Sequence, residues 1–314
     1  MINYIIRRLL LFFPVLFVVA IVVFSLIRMI PGDPAIVMLG EFAPEEQVEA
    51  LRESLGLDQP IWVQFGHWAG NALKLNLGES LFYNEAVLSV IGRHLMPTFS
   101  IVILAMVISL VIAIPVGIIC AVKRGTWVDS LLMSAAFVGL SMPSFWTGLI
   151  LITIFAVGLS WFPSSGFVPL SEGLVPWLQS IILPSIALGI TQVGVVARML
   201  RHSMIDALQQ DYIRTARSKG IKFYRILLHH AFPNTLIPLL TLIGTGFALL
   251  MAGGVIVETV FNIRGLGWLT VNAVYRRDFP LVQGCILIIA LIYSFINLLV
   301  DLSYGIVDPR IRYE

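Results

Sequence analysis

Six stretches of the chain are apolar and free of charge: residues 9–27, 95–122, 130–171, 173–197, 231–257 and 279–300. A helix needs about 20 apolar residues to cross roughly 30 Å of hydrocarbon, and each stretch supplies that length. None alternates apolar with polar residues as a barrel strand does. Inside lipid a backbone must also satisfy its own hydrogen bonds. The pattern predicts an all-α integral membrane protein of about six transmembrane helices, with no internal repeat and a single domain over residues 1–314. The first stretch follows Arg7 and Arg8, as a secretory signal would. Its length exceeds the roughly 7–15 residues of a cleaved signal, and it runs into Arg28-Met29-Ile30-Pro31 without a small-residue cleavage site, so it reads as a retained span. The 130–171 stretch is long enough to suggest a seventh span. Its second half, Leu159-Ser-Trp-Phe-Pro-Ser-Ser-Gly-Phe-Val-Pro169, is rich in proline and serine and reads as an interfacial loop anchored by Trp161.

Charge sets the orientation. With six spans and both termini in the cytoplasm, the inner segments hold Arg7, Arg8, Lys123, Arg124, the seven basic residues from Arg198 to Arg225, Arg310 and Arg312, which is 13 of the chain's 20 Lys and Arg. That is the positive-inside arrangement. A seventh span would put the basic 198–225 segment outside.

Composition agrees. Hydrophobic residues make up 58% of the chain and charged residues 12%, against about 25% charged in an ordinary soluble domain. The net charge of +2 points to no nucleic-acid partner. Cys120 and Cys285 lie inside apolar runs and form neither a disulfide framework nor a metal pair.

Two polar segments carry the remaining information. The first, an insertion at about 31–95, is long and acidic. Pro44 through Leu55 has the composition of a helix, with early glutamates and a stop at Gly56. Val48, Leu51 and Leu55 share one face, and Ile61, Phe65, Trp68 and Leu73 make a second stripe. This insertion is either a folded cap or a docking surface for a substrate-delivery protein. The second segment, at about 198–233, holds seven basic residues and the acids Asp206 and Asp211. Ser203-Met-Ile-Asp206 resembles a helix start, Ile205, Leu208, Tyr212 and Ala216 recur at helical spacing, and Gly220 is a natural stop. A second short helix is expected from 223 to 231, ended by Pro233.

This loop resembles the EAA signature of bacterial ABC-importer permeases. Ala216, Gly220 and Pro233 match it, while Arg214, Thr215, His230 and Phe232 depart. The form Asp211-Tyr-Ile-Arg-Thr-Ala-Arg-Ser-Lys-Gly220 is similar to that of the dipeptide, oligopeptide, glutathione and nickel permeases. So are Ile30-Pro-Gly-Asp-Pro34, Leu55-Gly-Leu-Asp-Gln-Pro60, Ser141-Met-Pro-Ser-Phe145, Val257-Glu-Thr-Val-Phe261, Arg264-Gly-Leu-Gly267, Arg277-Asp-Phe-Pro280, Asn297-Leu-Leu-Val-Asp301 and Asp308-Pro-Arg-Ile-Arg312. Local departures are Arg264, where many relatives have proline, and Pro233 before Asn234.

The resemblance implies a type I ABC-importer permease of the first-permease type in the bacterial inner membrane. It implies a second homologous permease, two ABC ATPase subunits and an extracytoplasmic substrate-binding protein as partners. The chain has no phosphate loop, so ATP and Mg belong to the ATPases, and no catalytic residue, metal site or bound cofactor is expected here. The resemblance makes the 198–233 loop the ATPase-coupling element, with Asp211, Arg214, Ala216, Arg217, Gly220 and Pro233 as its residues: the small ones for close approach, the charged ones for polar contacts. Ionisable residues at span edges are functional candidates, and Glu258, Arg264 and Asp301 are the candidates for the substrate path, Glu258 and Asp301 reading equally well as structural or interfacial charges. The glycines Gly244, Gly246, Gly253 and Gly254 allow close helix packing or a gate. Small peptides, glutathione among them, are the first-choice substrates, with nickel or metal chelates as the alternative. A stand-alone secondary transporter would show an inverted repeat and charges within its spans. An enzyme would need a carboxylate pair or histidine cluster that the chain lacks.

Overall fold

A computed structural model describes residues 2–28, 34–40, 42–54 and 56–307. Leu55, Arg310, Arg312 and most of the Ile30-to-Pro34 block lie outside the described residues, as does the Asp308–Arg312 block.

In chain order the elements are α1 (Ile2–Arg28), α2 (Pro34–Leu39), α3 (Glu45–Ser54), α4 (Ile61–Leu73), the two-residue strands β1 (Glu79–Ser80) and β2 (Glu85–Ala86), α5 (Val87–Val122), α6 (Trp127–Ser141), α7 (Ser144–Leu151), α8 (Leu174–Leu208), α9 (Asp211–Ser218), α10 (Phe223–Arg225), α11 (Leu236–Val260), α12 (Leu266–Tyr275) and α13 (Phe279–Val307). Each of the six apolar stretches contains helix. Among the described residues, four helical runs are long and apolar enough to cross a membrane unaided: Val87–Val122, Leu174–Leu208, Phe223–Val260 and Phe279–Gly305. The pair α6 and α7 adds a fifth if counted as one bent span, and α1 carries the shorter apolar run Phe13–Ser25.

The 130–171 stretch is therefore not one straight span. It bends by 99° between α6 and α7. Pro143 is the cause: a proline pushes the residue before it out of the helical region, and Met142 is extended at φ −82°, ψ 125°. Helix α7 restarts with Trp146 and Thr147 donating to the Pro143 carbonyl, then widens into a π-helical turn over Ile152–Gly158. Beyond it, residues 159–169 form no regular element, as the proline and serine there predict.

The described residues divide into two compact units. One comprises residues 6–96 and 265–295. Its core is Val87, Val90 and Ile91 at the start of α5, with Leu266, Leu269 and Ala273 of α12 and Leu281 and Cys285 of α13. Helix α5 thus begins eight residues before the expected span. Phe65 and Trp68 of α4 meet Phe24 of α1 at ring-centre distances of 5.2 and 5.7 Å. Leu73, expected on the same stripe, is 87% exposed. Helix α3 ends as its sequence predicts: Gly56 sits at φ +61°, and the amides of Gly56 and Leu57 turn back to the carbonyls of Glu53 and Arg52, a glycine C-cap. Asp278 caps α13 by accepting from the Leu281 amide at 3.2 Å. Its other oxygen accepts from the Ser80 hydroxyl and the Phe82 amide, closing the β1–β2 turn.

The other unit comprises residues 1–5, 97–264 and 296–314. Helix α8 is the most enclosed of the four long apolar runs: 72% of its most apolar stretch is buried. Close packing is written into its glycines. A Cβ at Gly189 would lie 2.5 Å from the Ala105 carbonyl oxygen, and one at Gly194 would lie 2.7 Å from that of Ala136. The α11 glycines behave likewise, with Gly244 against Val300 and Gly253 against Leu188.

Candidate functional site

Two expectations about the 198–233 loop need correction. Ser203-Met-Ile-Asp206 starts no helix, because α8 continues unbroken to Leu208. Met204 and Ile205 are buried and hold that last stretch in the core, and packing outweighs a weak capping signal. Pro233 ends no helix either. The chain passes from α10 through a π-helical turn (Ile226–Ala231) and a 3-10 turn (Phe232–Thr235) directly into α11. Proline lacks a backbone donor, and the wider and tighter turns around it take up the mismatch. The His230 carbonyl is met by the Asn234 side-chain amide at 2.7 Å.

Between these segments lies α9, an eight-residue helix that follows a two-residue break at Gln209 and Gln210. Its termination is as predicted. Gly220 adopts φ +73°, the Gly220 amide donates to Arg217 and the Ile221 amide donates to Ala216, giving the paired bonds of a glycine C-cap. A Cβ at Gly220 would meet nothing within 4 Å, so the backbone angle alone demands glycine.

The helix has two distinct faces. Ile213 and Ala216 are buried among Leu200, Met204, Ile226 and Ala231. The small Ala216 thus brings α9 close to the core of its own chain. Asp211, Arg214 and Arg217 are exposed. Asp211 pairs with Arg214 at 3.3 Å with both side chains largely in solvent, which is worth little stability. The Arg217 guanidinium lies 5.8 Å from the centre of the Phe223 ring. Pro233 is exposed. Tyr212, read from the sequence only as part of a helical period, ties the two legs of the loop: its hydroxyl accepts from Asn234 at 3.0 Å and lies 3.4 Å from the His230 carbonyl. Partial burial holds the Tyr212 phenol above its ordinary range, and the Asn234 bond acts in the opposite direction.

The three path candidates do not form one cluster. Glu258 is 1% exposed and accepts from the Thr98 hydroxyl of α5, so it makes a hydrogen bond between helices. Arg264 is exposed just beyond α11. Asp301 is half-buried on α13, next to Val300, which packs at the level of Gly244. Fourteen residues of α11 separate Gly244 from Glu258, about 20 Å at 1.5 Å per residue.

An ion pair outside both groups joins α6 to α8 and is not marked by any motif in the sequence. Asp129, three residues into α6, accepts from Arg201 of α8 through both oxygens, at 2.7 and 2.6 Å, and from the Gly125 amide at 3.0 Å. The available signal was an acid five residues after Arg124, at the edge of an apolar stretch.

The family described as binding-protein-dependent transport system inner membrane component matches residues 113–313, and the corresponding N-terminal family matches residues 1–105. A putative peptide transport system permease protein of Brucella abortus (strain 2308) is 44% identical over 301 residues, covering 96% of each chain. A probable peptide ABC transporter permease protein of Sinorhizobium fredii is 42% identical over 99% of each chain. The glutathione transport system permease protein of Escherichia coli (strain K12) is 41% identical over the full length of both. An inward-facing structure of the MetNI methionine ABC transporter matches with a TM-score of 0.55 at 16% identity, over 70% of this chain and 97% of that one.

Proposed function

We propose a peptide-importing role from one premise: the chain belongs to the family of inner membrane components of binding-protein-dependent transport systems. It is a multi-pass permease subunit of an ABC importer in the inner membrane, and not itself an enzyme. In our reading it forms half of the path for small peptides, glutathione among them. The observation that carries the substrate class is the end-to-end likeness, at 41–44% identity, to permeases named for peptide and glutathione transport.

The rest of the assembly follows from the same reading. A second homologous permease completes the path, an extracytoplasmic binding protein delivers substrate, and two ABC ATPases use ATP and Mg. Residues 1–314 act as one permease domain with both termini in the cytoplasm, the insertion at about 31–95 outside and the 198–233 loop inside. Asp211, Arg214 and Arg217 present the outer face of α9 to an ATPase. Gly220 and Pro233 shape the two ends of the element, and Ala216 seats it. Because α8 runs unbroken to Leu208, a displacement of α9 is delivered to the bundle as movement of a rigid rod. Glu258, Arg264 and Asp301 remain the ionisable residues proposed along the path.

The test is purification through a tag on this chain in mild detergent. Two ATPases and a second permease should co-purify, and alanyl-alanine or glutathione with the binding protein should stimulate ATP hydrolysis. Stimulation by a nickel chelate alone would replace the peptide reading. Purification of a well-behaved chain without an ATPase would remove the coupling role of α9.

A further inference from the structure

Helix α8 meets α6 along a continuous line. A Cβ on Gly139 would touch Ile190, and one on Gly194 would strike the Ala136 carbonyl. The Arg198 guanidinium stands 5.6 Å from the centre of the Phe137 ring, and Arg201 grips Asp129. From Ile190 to Arg201 along α8 the contacts run back from Gly139 to Asp129 along α6, so the two helices are antiparallel neighbours. The line ends at the ion pair, seven residues before α8 ends at Leu208.

The pair is built for rigidity. Its geometry is a two-pronged fork, which fixes direction as well as distance. The Asp129 side chain is 7% exposed and that of Arg201 20%. Asp129 also sits in the first turn of α6, where a negative charge is favoured, and its bond to the Gly125 amide fixes the turn that leads into the helix. The other end of α6 is the 99° bend at Met142 and Pro143. Helix α6 is therefore locked to α8 at one end and free of helical continuity at the other.

We propose that Asp129 and Arg201 are positioning residues for transport: they lock α6 to α8, so that a displacement of α9 moves the two helices as one body about the Met142–Pro143 bend. This rests on the reading of α9 as the ATPase-facing element. Without the lock, α8 slides past α6 and the ATPase stroke is partly lost. ATPase docking itself is unaffected, because the outward face of α9 is untouched.

The experiment uses the assembly purified through this chain, with spin labels at Trp127→Cys on α6 and His202→Cys on α8, both exposed, and MgAMP-PNP as the nucleotide probe. In the otherwise unchanged chain the distance distribution between the labels should keep its width and centre when nucleotide is added. In Asp129→Asn it should broaden and shift, with ATPases still co-purifying. Uptake of radiolabelled alanyl-alanine per ATP hydrolysed should fall about tenfold, within the range for a coupling element. Asp129→Glu, which keeps the charge, should recover most of that ratio, which a merely structural loss would not show. If Asp129→Asn does not assemble, Arg201→Lys carries the test: it keeps the charge but loses the second prong, and its distribution should broaden. Distributions in Asp129→Asn or Arg201→Lys identical to the unchanged chain would overturn the lock. Failure of the unchanged chain to bring down any ATPase would instead overturn the coupling reading, and the lock would then be decided by the label distances in the chain alone.

Discussion

Asp129 and Asp278 are both buried aspartates that join parts of the chain far apart in sequence, and they are satisfied in opposite ways. Asp278 takes its hydrogen bonds from a hydroxyl and two backbone amides. Asp129 takes two of its three from an arginine on another helix. A carboxylate held by backbone amides is built into the path of the chain, and releasing it strands those donors. A carboxylate gripped through both oxygens by a side chain on a neighbouring helix fixes one helix against the other, in direction as well as distance. The first arrangement suits a fixed closure of the β1–β2 turn. The second suits a lock between two helices that move together.

The sharpest way to break this contrast is Asp278→Ala. It removes a helix cap and strands the Ser80 hydroxyl and the Phe82 amide, for a loss of about 3 kcal/mol. Thermal unfolding in detergent should show the loss, and limited proteolysis should open near residues 76–86. An unchanged melting curve would mean that the closure is not fixed in this way. Asp129→Asn should cost less, about 2 kcal/mol, below the usual figure for a broken buried pair because Arg201 keeps some solvent contact. Its larger effect should be on uptake per ATP, and equal loss of stability and uptake would make the two aspartates alike.

Gly220→Ala tests the loop between these extremes. Only the positive φ opposes a side chain there, so about 1 kcal/mol is expected, read as weaker ATPase co-purification with the bundle's melting temperature little changed. Tyr212→Phe should have the smallest effect, about 0.5–1 kcal/mol from one partly exposed hydrogen bond. It should appear as faster hydrogen exchange in residues 211–218. No change in exchange would show that Asn234 alone holds the His230 carbonyl.

Local rules served well where one residue decides the outcome. Gly56 and Gly220 stop helices because a left-handed residue is needed there and glycine supplies it without strain. The serines and prolines of residues 159–169 break the third apolar stretch. The same rules failed where burial competes with propensity. Ser203 carries a capping pattern, yet α8 runs past it because Met204 and Ile205 are in the core. Pro233 is a breaker by type, but a widened turn before it and a tightened one after it carry the helix through. Ser141-Met-Pro-Ser-Phe145 was legible as a motif, and its proline held the information for the bend, which the even hydrophobicity around it obscured.

The sequence by itself determined the membrane-spanning class, the helical content, the motifs that mark the family and the glycine stops of α3 and α9. Those depend on hydrophobic run length, on charge distribution, on short motifs in order and on single residues with special backbone freedom, none of which requires knowing which helices meet. Only the tertiary structure decided that Ala216 faces inward, that Glu258 bonds to Thr98, that Asp301 follows a residue packed at Gly244, about 20 Å along α11 from Glu258, and that Asp129 meets Arg201. Those facts depend on which faces of helices distant in sequence are pressed together, and a periodic apolar pattern does not name its neighbour.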